Sequence, residues 1–173
     1  NHSVFDVLHQ KDVKEEGMVD DKGLGQDRAK LKSYLKMLES NSPQKTWTEE
    51  QKLAYWSNAY NAYTFELILD NYPVKSIKAI GASVKIPFVN TPWDIKFINI
   101  GGEEYDLNNL EHGIIRKEFE DPRIHFALVC AAVSCPKLQN KAYMPESLDA
   151  QLTKAAKDFL ADSKKNEIKR KGS

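Results

Sequence analysis

Apolar and polar positions follow a helical rhythm most clearly in TEEQKLAYWSNAYNAYTFELILDNYP. Trp56, Tyr60, Tyr63 and Leu67 recur at spacings of four, three and four, the repeat of one helix face. Tyr55, Ala62, Phe65 and Leu69 cover much of the opposite face. A helix apolar on two sides is packed by several neighbours, so this one is predicted to be central. Thr48 and Gln51 are spaced as a capping box, Glu49 and Glu50 suit the positive end of the helix dipole, and Pro73 stops the run.

Weaker helical patterns flank it. DRAKLKSYLKMLESN places Leu31, Leu35 and Leu38 on one face, with Asp27 as cap and Asn41 and Pro43 at the end. DLNNLEHGIIRKEF predicts a helix capped by Asp106, and SLDAQLTKAAKDFLADS an amphipathic one through Leu148, Leu152, Ala155 and Phe159. A two-residue rhythm marks DIKFINIGGEEYDL as a hairpin turning at Gly101-Gly102. RIHFALVCAA is almost wholly apolar and predicts a buried strand. SIKAIG reads as a short helical turn or strand, KIPFVNTPW as an ordered surface loop, and VSCPKLQNKAYMP as a loop. Residues 1–26, with weak apolar spacing and Gly23 and Gly25, read as an extended arm; residues 27–163 form one globular domain; residues 164–173 form a charged tail. No internal repeat or linker divides the chain. Helices with strands clustered in the middle predict an α+β fold, a small and largely antiparallel sheet against a central helix.

Composition narrows function by exclusion. The 173 residues carry 25 basic and 25 acidic side chains, so no global field draws the chain to nucleic acid or an anionic membrane. At 41% hydrophobic residues the chain can build a core, which separates it from disordered sequences. No stretch approaches the roughly 20 apolar residues of a membrane span. Two cysteines are too few for a disulfide scaffold. The motifs of P-loop, dinucleotide-binding, serine-hydrolase and zinc-protease sites do not occur.

The informative residues are polar groups in apolar surroundings. Asn58 and Asn61 lie within the central helix, where their amides either satisfy loop backbone groups or orient a substrate and donate to an oxyanion. Glu111 projects from the apolar face of Leu107, Leu110, Ile114 and Ile115, with His112 at its edge. It either holds Arg116, Arg123 or a backbone amide, or acts with a histidine in acid–base work. His125 lies in the predicted buried strand. Cys135 follows that strand, where Pro136 turns the chain, while Cys130 lies within it. The pair admits a nucleophilic Cys135, a Cys130–Cys135 disulfide, or zinc held with a histidine. The four intervening residues are wider than a zinc knuckle, which ranks zinc last.

LAYWSNAYNA, PWDI, LNNLEHGIIR and DPRIHFALVCAAVSCPKL, in this order and spacing, resemble the domain-of-unknown-function family 547 of bacteria and plants over residues 28–161. The family pattern matches at Trp56, Asn58, Tyr60, Asn61, Glu111, His112, Arg116, Arg123, His125, Cys130, Cys135 and Pro136. It departs at Asp21, where the family commonly has tyrosine after the Val-Asp pair. The resemblance implies that Asn58, Asn61, Glu111, His112, His125 and Cys135 form one set. The architecture is also similar to papain-like and transglutaminase-like folds, although Ser57 and Asn58 stand where those place a helical cysteine. Two expectations result. The first is a cysteine-dependent hydrolase or acyl-transferase on amide- or peptide-like substrates. In it Cys135 is nucleophile, His112 or His125 the base, Glu111 its orienting group, and Asn58, Asn61, Arg116 and Trp93 bind substrate. The second is a non-catalytic ligand- or protein-binding module in which the same residues are structural. Neither needs a cofactor or metal. A small-molecule or peptide ligand is the expected partner, and oligomeric state is not legible. Bacterial members are often exported, so a periplasmic or cell-surface mature chain after signal cleavage is expected, with the cytoplasm as the alternative.

Overall fold

The computed structural model describes residues 1–74, 77–83, 91–129 and 136–163, and of residues 81–83 only the backbone course. Its centre is the predicted helix, α4 (Glu49–Asp70), in which every residue from 53 to 67 is buried. The capping box forms as the sequence requires: Gln51 N donates to Thr48 Oγ1 at 3.2 Å, and Thr48 N to Gln51 Oε1 at 2.9 Å.

Three helices precede it: α1 (Ser3–Asp12), α2 (Asp21–Gln26) and α3 (Arg28–Ser40). The first 26 residues thus fold as two helices joined by a turn, with Val13 bridged to Val19, rather than as an extended arm. Phe5, Leu8, His9 and Asp12 form the inward face of α1 at helical spacing. Two of those four are polar, which dilutes the apolar periodicity a sequence reader looks for. The face is well packed: Phe5 stacks on Tyr34 of α3, centroids 4.7 Å apart, and meets Phe65 of α4 at 5.8 Å. Asp20 caps α2 by accepting from Gly23 N at 3.0 Å. Asp27 precedes α3 as expected, yet its carboxylate binds Lys11 and Lys30 instead of a helix N–H. Arg28 ties the start of α3 to Glu66 of α4 (2.8 Å), and Tyr55 closes the other end by donating to the Leu38 carbonyl at 2.8 Å.

The hairpin forms where the two-residue rhythm puts it. Strands β1 (Ile98–Ile100) and β2 (Glu103–Tyr105) pair antiparallel, with Ile98 opposite Tyr105 and Ile100 opposite Glu103. Gly101 and Gly102 turn with φ of +62° and +86°, the left-handed values a two-residue hairpin loop demands. Ile98 and Ile100 face the core, and Gly101 N donates to Glu39 O of α3 at 3.2 Å. Helix α5 (Ile77–Ser83) realises the helical reading of SIKAIG. Beyond the hairpin come a π-helix (Asn109–Ile115), α6 (Arg116–Glu118) and α7 (Leu148–Ala161). Among the described residues the sheet has two strands, and the fold is a single-domain α+β arrangement of helices around α4.

The expected strand at residues 123–132 does not form in its described part. Pro122–Phe126 is a 3-10 helix, begun by a proline of fixed φ and by Asp121, whose carboxylate accepts from Arg123 N at 2.9 Å. Arg123 then reaches α7 through Thr153 Oγ1 at 2.6 Å and Asp149 at 2.9 Å. Phe126 packs on Phe159 of α7 at 5.2 Å, so apolarity here serves a helix contact. Among the described residues no helix is long and apolar enough to cross a membrane.

Candidate functional site

The two asparagines of α4 resolve first. Both are fully buried. Asn58 donates to Tyr143 O at 2.7 Å and accepts from Tyr143 N at 2.9 Å. Asn61 donates to Ala127 O at 3.1 Å and accepts from Val129 N at 2.9 Å. Each amide thus pairs with a passing chain as a neighbouring strand would, satisfying backbone groups that no sheet reaches. Their hydrogen-bonding capacity is directed to the fold, which is the structural alternative of the sequence reading.

Glu111 and His112 lie in the π-helix. Hydrogen bonding from i to i+5 brings residues five apart onto one face, whereas an α-helix would separate them by about 140°. Arg116 N–H donates to Glu111 O in that pattern, and the side chains follow: Arg116 Nε and Nη2 donate to Glu111 Oε1 at 3.0 and 2.8 Å. Glu111, with a side chain 17% exposed, is therefore paired; Arg116 is 42% exposed. Leu110 and Ile115 anchor the segment in the core.

Arg116 Nη2 also meets His125 Nδ1 at 3.1 Å. A guanidinium can only donate, so Nδ1 accepts and the ring proton is on Nε2. His125 is exposed rather than buried, because the 3-10 turn rotates it away from Ile124, which enters the core. His112 is exposed and takes no part in this chain of contacts. Arg116, His125, Phe119, Pro122 and Ile124 line a shallow cavity of about 280 Å³ with Glu120 and Asp121.

Tyr60 of α4 is buried in the core, and burial followed by the Glu111 charge pushes its pKa well above the ordinary value. Trp93 is on a 3-10 turn, Pro92–Asp94. Asn108 Nδ2, just before the π-helix, donates to Asp94 Oδ1 at 2.6 Å, and Asp94 closes the turn by accepting from Thr91 N at 2.9 Å. Glu111, Arg116 and His125, named from sequence as binding or catalytic, are thus brought together; Asn58, Asn61 and His112 are not, and Trp93 sits on the turn that Asn108 ties to the π-helix. Tyr60 was legible only as part of an apolar face and of a matched motif. Cys130 and Cys135 lie outside the described residues, as does most of KIPFVNTPW.

A family model described as "Protein of unknown function, DUF547" matches residues 44–160. The chain belongs to the DUF547 family. The span matched by the DUF547 model contains α4 and the residues Tyr60, Trp93, Glu111, Arg116 and His125, and leaves out α1 to α3. No curated protein and no solved structure matches this DUF547 chain.

Proposed function

We propose that this DUF547 protein is a cysteine-dependent hydrolase or acyl-transferase acting on amide- or peptide-like substrates. What supports the reading is the contact series Glu111–Arg116–His125, which holds an exposed imidazole at a cavity wall with its ring proton on Nε2. In this reading the Cys135 thiolate attacks the substrate carbonyl carbon, and the carbonyl oxygen gathers negative charge. His125 Nε2–H and the free Nη1 of Arg116 are the donors that stabilise that oxygen, a role worth about 3 kcal/mol per donor in comparable sites. The C–N bond breaks, the amine leaves with a proton, and water or an acceptor amine cleaves the thioester. His125 acts here as a donor rather than the base, because Arg116 occupies its Nδ1; His112, exposed on the π-helix that carries Glu111, is the base. We propose in addition that the mature chain works in the periplasm or at the cell surface.

Iodoacetamide labelling of the folded protein tests the nucleophile. Cys135 labels much faster than Cys130 at neutral pH, and Cys135→Ser abolishes turnover of fluorogenic peptide amides. Equal, slow labelling of both thiols sinks the reading.

A second reading is a non-catalytic binding module, and one observation favours it. Asn58, Asn61 and Glu111 are each engaged within the protein, as a purely structural network requires. Cys135→Ser then leaves peptide binding intact while Glu111→Ala lowers the melting temperature by several degrees; a Glu111→Ala protein of unchanged melting temperature counts against it.

A further inference from the structure

We propose that the cleft between α7 and the chain at residues 137–141 is a second binding site, and that it takes a short peptide with both termini free. The site is separate from the one read above, because none of its residues lines the Arg116–His125 cavity. The two also meet different faces of α7. Asp149 and Thr153 turn to Arg123, whereas Ala150, Gln151 and Lys154 line this cleft, which encloses about 320 Å³. That volume suits a small ligand, since ligand pockets run from roughly 300 to 1,000 Å³.

The walls are fastened by the fold itself. Gln151 clamps the chain to α7: its Oε1 accepts from Met144 N at 2.9 Å and from Ser147 Oγ at 3.1 Å, and its Nε2 donates to Ala142 O at 2.8 Å. Gln139 Nε2 donates to Gln151 O at 2.7 Å, and the Gln139 carbonyl accepts from the buried His9 of α1 at 2.9 Å. Behind the segment, the Lys137 stem lies across Gly17, where an added Cβ would come within 2.5 Å of Lys137 Cγ. The turn that carries Glu15 and Gly17 is therefore seated against Lys137.

The charges in the cleft select the ligand. Lys154 is matched by Asp158 at 2.5 Å. Lys137, Lys141 and Glu15 line the same cavity, yet among the described residues they form no ion pair. Two ammonium groups and one carboxylate thus remain to be met. A simple anion would be repelled by Glu15, and a simple cation by the two lysines. A ligand carrying both signs satisfies all three, its carboxylate on Lys137 and Lys141 and its ammonium on Glu15. Asn140 also lines the cleft, and its side chain makes no hydrogen bond among the described residues. An amide side chain offers a donor and an acceptor together, which is what a peptide group between the two termini needs.

The experiment titrates L-alanyl-L-alanine into 15N-labelled protein at pH 7 and low salt. The backbone amides of residues 139–142 and 150–154 shift together and saturate. Acetylating the amine or amidating the carboxylate of the dipeptide weakens binding by about twofold to fivefold, the range of an exposed ion pair. Glu15→Gln and Lys141→Ala, both at exposed positions, weaken it similarly. In Glu15→Gln the acetylated and free dipeptides bind alike, which identifies the ammonium partner. Arg116→Ala, in the other cavity, leaves the shifts at 139–142 unchanged. Shifts that do not saturate, equal binding of the free, acetylated and amidated dipeptides, or loss of the 139–142 shifts in Arg116→Ala each overturn the proposal. Thiol labelling judges the hydrolase reading, so the two fail separately.

Discussion

Mild acid is the perturbation that reads the packing of α1. His9 is fully buried, its ring 4.4 Å from Phe5 and 5.5 Å from Phe65. Nδ1 pairs with the Gln139 carbonyl at 2.9 Å, so it carries the proton, while Nε2 has no partner. Burial pulls the pKa from 6.5 to about 4, against small opposing pulls from Gln139 and Asp6. The folded state therefore favours the neutral ring, and the unfolded chain binds the extra proton. Stability from this group is complete above pH 6.5 and is lost as pH falls towards 4. A shift of that size corresponds to about 3 kcal/mol in full, of which about 2 kcal/mol is gone by pH 5. Against a typical stability of roughly 5–15 kcal/mol, that is a large fraction. His2 is lowered to about 4 as well, so the measurement uses a His2→Gln background. Urea unfolding followed by tryptophan fluorescence at pH 7 and pH 5 gives the difference. The His2→Gln background loses about 2 kcal/mol between them, and the same background with His9→Phe loses less than about 0.5. Equal losses in the two proteins would refute a buried, neutral His9.

Further expectations follow from single contacts. Asn61→Ala orphans the Ala127 carbonyl and the Val129 N–H, at roughly 1–3 kcal/mol each, so urea unfolding should show a loss of about 2–5 kcal/mol; a loss under about 1 would mean water replaces the amide. Gly17→Ala meets Lys137 Cγ at 2.5 Å and Leu138 N at 2.8 Å with φ at +80°, whereas Gly102→Ala at φ +86° meets nothing within 4 Å. Calorimetry should show the first well below the second in melting temperature, the second paying only about 1–2 kcal/mol of backbone strain. Thr48→Ala removes the Gln51 N–H acceptor and should cost about 1 kcal/mol in the same assay.

The central helix, its capping box, the hairpin with its glycine turn and the last amphipathic helix were readable because each signal acts over a few residues. Periodicity, caps and positive φ are local. Helix α1 was not readable, since half of its inward positions are polar and become acceptable only against Phe65, Tyr34 and Gln139 from distant segments. The predicted strand at 123–132 failed in its described part for the converse reason. Ile124, Ala127, Leu128 and Val129 are core residues, but Pro122 and Asp121 set a 3-10 turn that a pattern of apolarity alone does not show.

For the site, the sequence by itself selected the residue types: polar groups in apolar company at Asn58, Asn61, Glu111, His112, His125 and Cys135. It could not sort them, because burial raises the cost of an unpaired polar group without saying which partner relieves it. Only the tertiary structure did that. It turned both asparagines towards passing backbone, drew Glu111 to Arg116 through a π-helix invisible in the residue pattern, and brought His125 out to a cavity wall. Composition and periodicity decide which side chains must be hidden; closure of the chain decides what each hidden polar atom meets.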